Sequence, residues 1–242
     1  MRFEERELVL SIVIPTLNAA AHLSACLDAL RAGGGFAQAD GVITPAVEVI
    51  VVDGGSDDDT VALAQREGVR VITAPRGRGS QLAAGADAAN GDWLLFLHAD
   101  TRLSERWLAA ASGHINNPAQ RGTAAAFRYA LDDTDKAARV LETIVNWRSR
   151  VLALPYGDQG LLISTAFYRS LGGFRPDPLM EDVDIVCRIG SERLRVFNVA
   201  AVTSSERYRK GGWLLRPLRN LSCLGLYFLG LPPPMIARLY GR

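Results

Sequence analysis

The chain has 242 residues, 48% of them hydrophobic, with 27 basic and 26 acidic side chains and a formal net charge of +1. That length makes one large domain or two small ones and permits a substantial core. The near-balanced charge excludes the basic excess of a general nucleic-acid binder.

LVLSIVIP (8–15) is a β-branched apolar run stopped by Pro15, which reads as a buried strand. Residues 19–32 carry Ala, Leu and His at helical spacing, and Gly33-Gly34-Gly35 end the helix. RAGGGFAQADGVITP (31–45) reads as a loop. VEVIVVD (47–53) is a second buried strand, and DDDTVALAQREG (57–68) a helix with an acidic first turn and a closing glycine. VRVIT (69–73) is a third strand, GSQLAAGADAANG (79–91) an Ala-rich helix, and DWLLFLHAD (92–100) a fourth strand and its end. Strand and helix alternate at short intervals. This predicts an α/β fold, a Rossmann-like, mostly parallel sheet flanked by helices.

From about residue 104 the pattern changes. Helices are expected over 104–115, 135–152 and 180–190, and strands over 123–131, 160–164 and 194–205. This predicts a mixed-sheet continuation of one domain over 1–210, with a nucleotide-binding half (8–103), an acceptor half (104–210) and an amphipathic helical tail (211–242). Cys26, Cys187 and Cys223 are odd in number and far apart, which fits a reducing cytoplasm rather than a disulfide framework. The charged start, MRFEERELVL, lacks the apolar core of a signal peptide. LSCLGLYFLGL (221–231) is too short for a membrane-spanning helix, which needs roughly 20 residues.

Parallel sheets bind ligands beyond the carboxyl ends of their strands. Four polar stretches fall on that edge. In VVDGGSDDDT (51–60), Asp53 can accept from a base N–H or a ribose hydroxyl, and the glycines permit close backbone approach. Ser56 or Asp57 could instead serve only as a helix cap. In APRGRGSQ (74–81), Arg76 and Arg78 precede a helix N-terminus, which suits a phosphate or, more plainly, a solvated basic turn. In LLFLHAD (94–100), His98 and Asp100 stand two residues apart at a strand end, so an extended chain turns both to one side. Imidazole plus carboxylate suits Mg²⁺ or Mn²⁺ completed by diphosphate oxygens, or a satisfied polar pair. MEDVD (180–184) offers a general base or, more simply, acids complementing a helix dipole.

SIVIPTLNAA, VVDGGSDDDT, NGDWLLFLHADT, GDQGLLIS, GGF and MEDVD together resemble a family 2 glycosyltransferase of the GT-A fold, over roughly 8–210. The RGRGSQLAAGA–LLFLHAD pairing also resembles a small bacterial subgroup associated with arsenosugar biosynthesis and with selenium and radical-SAM gene neighbourhoods. The resemblance implies that Pro15, Thr16 and Asn18 line the nucleotide pocket, with Asp53 on the base and Asp57 nearby. Arg78 would approach the diphosphate or the base. His98-Ala99-Asp100 stands where the family has Asp-x-Asp: Asp100 keeps the metal, and His98 faces the ribose or ligates as neutral imidazole. Asp182 matches the family's catalytic base, and Asp158, Gln159 and Glu181 fall on the acceptor side.

The implied activity is a single, inverting transfer of a sugar from a nucleotide-diphosphate donor, UDP-sugar first, to a small-molecule or lipid acceptor, with Mg²⁺ or Mn²⁺ as cofactor. The Gln-x-x-Arg-Trp motif of processive synthases is absent, and ERYRKGGW (206–213) is only a loose relative of it. The tail could contact a membrane peripherally through 212–231, or pack on the domain or a second subunit as a homodimer. A catalytically silent nucleotide-sugar binder and a sugar-phosphate nucleotidyltransferase are the competing readings. The latter requires a Gly-rich basic loop where this chain has Pro15-Thr16-Leu17-Asn18.

Overall fold

The computed structural model describes residues 8–34 and 45–239, so the first seven residues and most of the 31–45 loop lie outside the described residues. The first half of the chain holds β1 (Val9–Thr16), α1 (Ala20–Ala32), β2 (Ala46–Asp53), α2 (Thr60–Arg66), β3 (Arg70–Thr73), α3 (Arg78–Ala88), β4 (Trp93–Phe96) and β5 (Thr101–Leu103). Then come α4 (Trp107–Ile115), β6 (Ala124–Leu131), α5 (Lys136–Val151), β7 (Leu161–Ser164), α6 (Thr165–Ser170), α7 (Glu181–Ile189) and β8 (Leu194–Thr203). Three helices follow, α8 (Glu206–Gly211), α9 (Leu215–Phe228) and α10 (Pro233–Leu239).

One sheet carries both halves, in the order β3-β2-β1-β4-β7-β6-β8-β5. β1 to β4 are mutually parallel. β7 runs antiparallel to β4 and β6, β6 is parallel to β8, and β5 antiparallel to β8. The α/β class and the mixed continuation therefore stand as the sequence predicts. The strand order reverses direction between β1 and β4, and such switch points open a crevice at the strand ends.

The apolar runs are continuous because both sheet faces are covered. Leu10, Ile12 and Ile14 of β1 pack with Leu23, Leu27 and Leu30 of α1 on one face. Val13, Ile50, Val52 and Phe96 pack with Leu82 and Ala86 of α3 and Ile185 and Ile189 of α7 on the other. Each such side chain contributes about 1.5–3 kcal/mol on burial. Gly85 lets α3 lie against the sheet, since a Cβ there would stand 2.3 Å from Val13 Cγ1.

Three elements differ from expectation. β4 stops at Phe96, and residues 97–100 leave the strand through a turn closed by Thr101 N–H on His98 C=O (3.1 Å). The extended geometry assumed for His98 and Asp100 is therefore wrong. α2 begins only at Thr60, with no acidic residue in its first turn. Neither Ser56 nor Asp57 caps it: the Asp58 carboxylate accepts from Thr60 N–H, a local bonding that competes with helix, and from Ala20 N–H at the start of α1. β5, three residues long, escaped the sequence reading.

Candidate active site

The side chains predicted to bind donor and acceptor fall into two groups. The first gathers at the ends of β1 and β2. Asp53 is almost fully buried and accepts from Thr16 Oγ1 (3.1 Å), Gly55 N–H (2.9 Å), Ser56 N–H (2.8 Å) and the Ser56 hydroxyl. Burial would raise its pKa, but hydrogen bonds from Ser56, Gly55 and Thr16 outweigh it and hold the carboxyl below its ordinary value. Its four acceptor contacts are all internal, so Asp53 shapes the 53–56 turn rather than standing free for a base. Asn18, at φ +51°, accepts from Asp57 N–H (2.9 Å) through Oδ1 and donates its own N–H to Ser56 Oγ (2.9 Å). Pro15 is buried within β1. Gln81, not singled out by sequence, is buried and donates to both Thr16 C=O (2.7 Å) and Val52 C=O (2.8 Å), tying these strand ends together.

The second group converges on a cleft lined by Arg78, His98, Asp100, Tyr156, Asp158 and Asp182, together with Arg207, Tyr208, Arg216 and Asn220. Arg78 opens α3. Its Nε meets Glu181 Oε1 at 3.0 Å and its Nη1 lies 3.4 Å from His98 Nε2. Glu181 beside it raises the guanidinium's pKa, so Arg78 is a fixed cation, whereas Arg76 is exposed as in the solvated-turn reading. Burial and the Arg78 charge push His98 down to about 4, which leaves the imidazole neutral at neutral pH. Asp100 Oδ2 lies 3.8 Å from Arg207 Nη2, a partly exposed pair of little energetic weight.

Of the three acids in MEDVD, two are taken up by arginines. Glu181 is buried against Arg78 and does not line the cleft itself. Asp184 pairs with Arg175 (3.0 Å) and with Arg188. Asp182 alone faces the cleft. Its Oδ2 accepts from Gly157 N–H (2.9 Å) and its Oδ1 from Val183 N–H (2.8 Å). The preceding Met180 is held at φ +67°, a backbone conformation that costs a non-glycine residue about 1–3 kcal/mol and that concentrates at functional sites.

The 156–158 turn closes the site. A Cβ on Gly157 would stand 2.6 Å from His98 Nε2 and 3.6 Å from Asp182 Oδ2. Gly157→Ala is therefore expected to displace the imidazole and lower kcat/KM by about tenfold or more, measured by initial rates on the folded variant. Burial pushes Asp158 up to about 6, with Arg148 opposing the rise and Asp182 and Asp100 adding to it. Its Oδ1 is buried without a hydrogen-bond partner among the described residues. Gln159, expected on the acceptor side, does not reach the cleft. It is fully buried, with its amide bonded to Phe127 C=O (2.9 Å) and Ser149 Oγ (2.7 Å). Arg207 and Tyr208 were visible in sequence only as the basic-aromatic run ERYRKGGW; Arg216 and Asn220 carried no signal of their own.

A parallel sheet with a polar switch-point edge, continued by a mixed sheet that brings a carboxylate opposite it, defines a GT-A nucleotide-diphospho-sugar transferase fold. Residues 11–181 match the Glycosyl transferase family 2 model, and the chain belongs to that family. A stretch of 104 residues is 40% identical to a PGL/p-HBAD biosynthesis glycosyltransferase of Mycobacterium bovis (strain BCG / Pasteur 1173P2), covering 39% of this chain and 36% of that protein. Another 141-residue match, 30% identical, is to an uncharacterized glycosyltransferase of Mycobacterium tuberculosis, over 58% of this chain and 59% of that one. The match thus spans only about a third to three-fifths of these relatives. Among solved structures, the fold is similar to glucosyl-3-phosphoglycerate synthase from Mycobacterium tuberculosis in complex with Mn²⁺, UDP and glucosyl-3-phosphoglycerate (TM-score 0.57, 21% identity, 81% of this chain and 71% of that chain). It is also similar to S. aureus TarS in complex with UDP-GlcNAc (TM-score 0.56, 15% identity, 81% and 59%). At these identities the likeness is one of fold.

Proposed function

We propose that this chain is a glycosyltransferase that moves a sugar from a nucleoside-diphosphate donor to an acceptor hydroxyl in a single, inverting displacement. The observation that carries this reading is the convergence of Arg78, neutral His98 and Asp100 on one cleft wall with Asp182 in the same cleft. Arg78 is positioned to meet the negative charge that grows on the departing diphosphate. Asp182 is the one acid of its motif left free of arginine, and it takes the acceptor's proton as the hydroxyl attacks the anomeric carbon. UDP is the first donor to test, since the structurally similar synthase and TarS are seen with UDP or UDP-GlcNAc. The unpaired cysteines suit a cytoplasmic setting. Membership of the arsenosugar-associated subgroup rests on the RGRGSQLAAGA–LLFLHAD pairing alone.

A divalent cation fits this donor set. Among the described residues no three His, Cys, Asp or Glu side chains gather to hold a metal by themselves. Asp100 and the neutral His98 supply a hard carboxylate and an imidazole, and Mg²⁺ or Mn²⁺ normally completes such a site with phosphate oxygens and water. Bound there, the cation would supply Lewis-acid stabilisation of the diphosphate leaving group.

Calorimetric titration with UDP, GDP and ADP, with and without Mn²⁺, tests the reading. One nucleotide is expected to bind more tightly with the metal. Asp100→Ala is expected to lower that metal-assisted affinity about tenfold or more and to leave metal-free binding intact. No binding by any of the three nucleotides would overturn the transferase reading. Metal-assisted binding without turnover on any acceptor would favour the silent binder.

A further inference from the structure

α9 turns Arg216 and Asn220 inward and Leu215, Leu218 and Leu221 outward. Arg216 and Asn220 line the cleft, and Cys223 and Leu224 are buried. Leu215 (73% exposed), Leu218, Leu221 (61%) and Phe228 face solvent. At 100° per residue these four share one face, the reverse of the arrangement in a water-facing helix.

α5 repeats the pattern. Val140, Ile144, Trp147 (57% exposed) and Val151 form an outward stripe at helical spacing. The one acid of α5, Glu142, is buried and bonded to Leu131 N–H and Arg139, so the charges left around the stripe are basic. Trp213, just before α9, packs against the core cluster to which Leu141 and Val145 of α5 belong, so α9 starts from the cluster that α5 covers.

The charge decides what covers this surface. Between Arg207 and Leu239 the sequence has no Asp or Glu; Arg207, Arg209 and Lys210 pair with Asp100, Asp133 and Glu206 and Arg216 lines the cleft, while Arg219 and Arg238, with Lys136 and Arg150 of α5, lie on the surface and leave it basic. A second copy would set like charges together, whereas an anionic bilayer supplies the opposite charge. We propose that α9 and the outer stripe of α5 dock on an anionic lipid surface, with the leucines and Trp147 in the headgroup boundary. Because α9 is also a wall of the cleft, docking presents the site to a lipid-borne acceptor. That last clause rests on the transferase reading; the docking does not. No helix among the described residues is long and apolar enough to cross a membrane, so contact is from one side.

The test is sedimentation of the full chain with vesicles of phosphatidylcholine, with and without phosphatidylglycerol. Binding is expected only with phosphatidylglycerol, weakening as salt rises. The variant Leu218→Glu/Leu221→Glu changes two exposed positions outside the cleft, so its thermal melt and UDP affinity should match the parent. Its vesicle binding is expected to fall about tenfold or more. Equal binding to both vesicle types would overturn the anionic recognition. Failure to bind either would overturn the docking, and a concentration-dependent dimer dissolved by the double variant would assign the face to a second copy instead. Retained UDP binding in those cases leaves the transferase reading standing, and vesicle binding without UDP binding would do the opposite.

Discussion

Asp182→Asn is expected to lower turnover by about 10²–10⁴-fold, the usual contribution of a positioned general base, with donor affinity unchanged. The amide keeps the size of the carboxylate. Its single oxygen can take the place of Oδ2 and accept from Gly157 N–H, giving up only the Val183 N–H contact made by Oδ1, so the 156–158 turn and His98 beside it should stay in place. What it loses is the ability to take a proton. A structural role would instead appear as weaker donor binding or a lower melting temperature, and both are read in the same experiment. Asp158 is the competing base, since it lines the same cleft and burial pushes its carboxyl up to about 6. If Asp182→Asn retained turnover while Asp158→Asn abolished it, the base would pass to Asp158.

The parallel half of the fold was legible because its strands are buried on both faces and so read as unbroken apolar runs. LVLSIVIP and VEVIVVD fall within one residue of β1 and β2. LLFLHAD shows the limit of that signal. Leu94 to Leu97 are buried whether the backbone is extended or turning, so hydropathy could not show that the ladder ends at Phe96. His98 and Asp100 still reach one cleft, but by a turn closed on His98 C=O rather than by strand alternation.

The acidic motifs show a second limit. DDDT and MEDVD look alike as acids entering helices, yet their carboxylates do different work. Asp58 accepts from the first N–H groups of α2 and α1, while Glu181 is neutralised by Arg78 from α3 and Asp184 by Arg188 one turn along α7 and by Arg175 before it. The Arg78–Glu181 pairing is long-range, and no local spacing encodes it. The same holds for Gln159, polar and loop-like in sequence but claimed by Phe127 and Ser149 in the interior. Arg216 and Asn220 were missed because α9 faces the cleft with the side that periodicity assigns to water.

Asp158→Asn is expected to make the metal-free protein more stable at pH 7. The folded chain raises this carboxyl from 3.8 to about 6, chiefly by burial, so the folded state holds a proton over a range in which the unfolded chain has released it. The sign follows: stability contributed by this group falls as pH rises from about 4 to about 6 and is level above that. At about 1.4 kcal/mol per pKa unit, and allowing for the residue's partial exposure, the ionised carboxylate costs about 2 kcal/mol at pH 7. An amide cannot ionise and avoids that cost. Urea unfolding at pH 7 should show the variant more stable by about this amount, the gap closing as the pH approaches 4. A cleft carboxylate with a buried, unpartnered oxygen is unfavourable for the fold alone, which is the usual condition of a group held ready for a ligand. If Asp158 binds the acceptor, the stabilised variant should also show a raised acceptor KM. An unchanged stability at every pH would mean that Asp158 is solvated and ionises as an ordinary surface carboxylate.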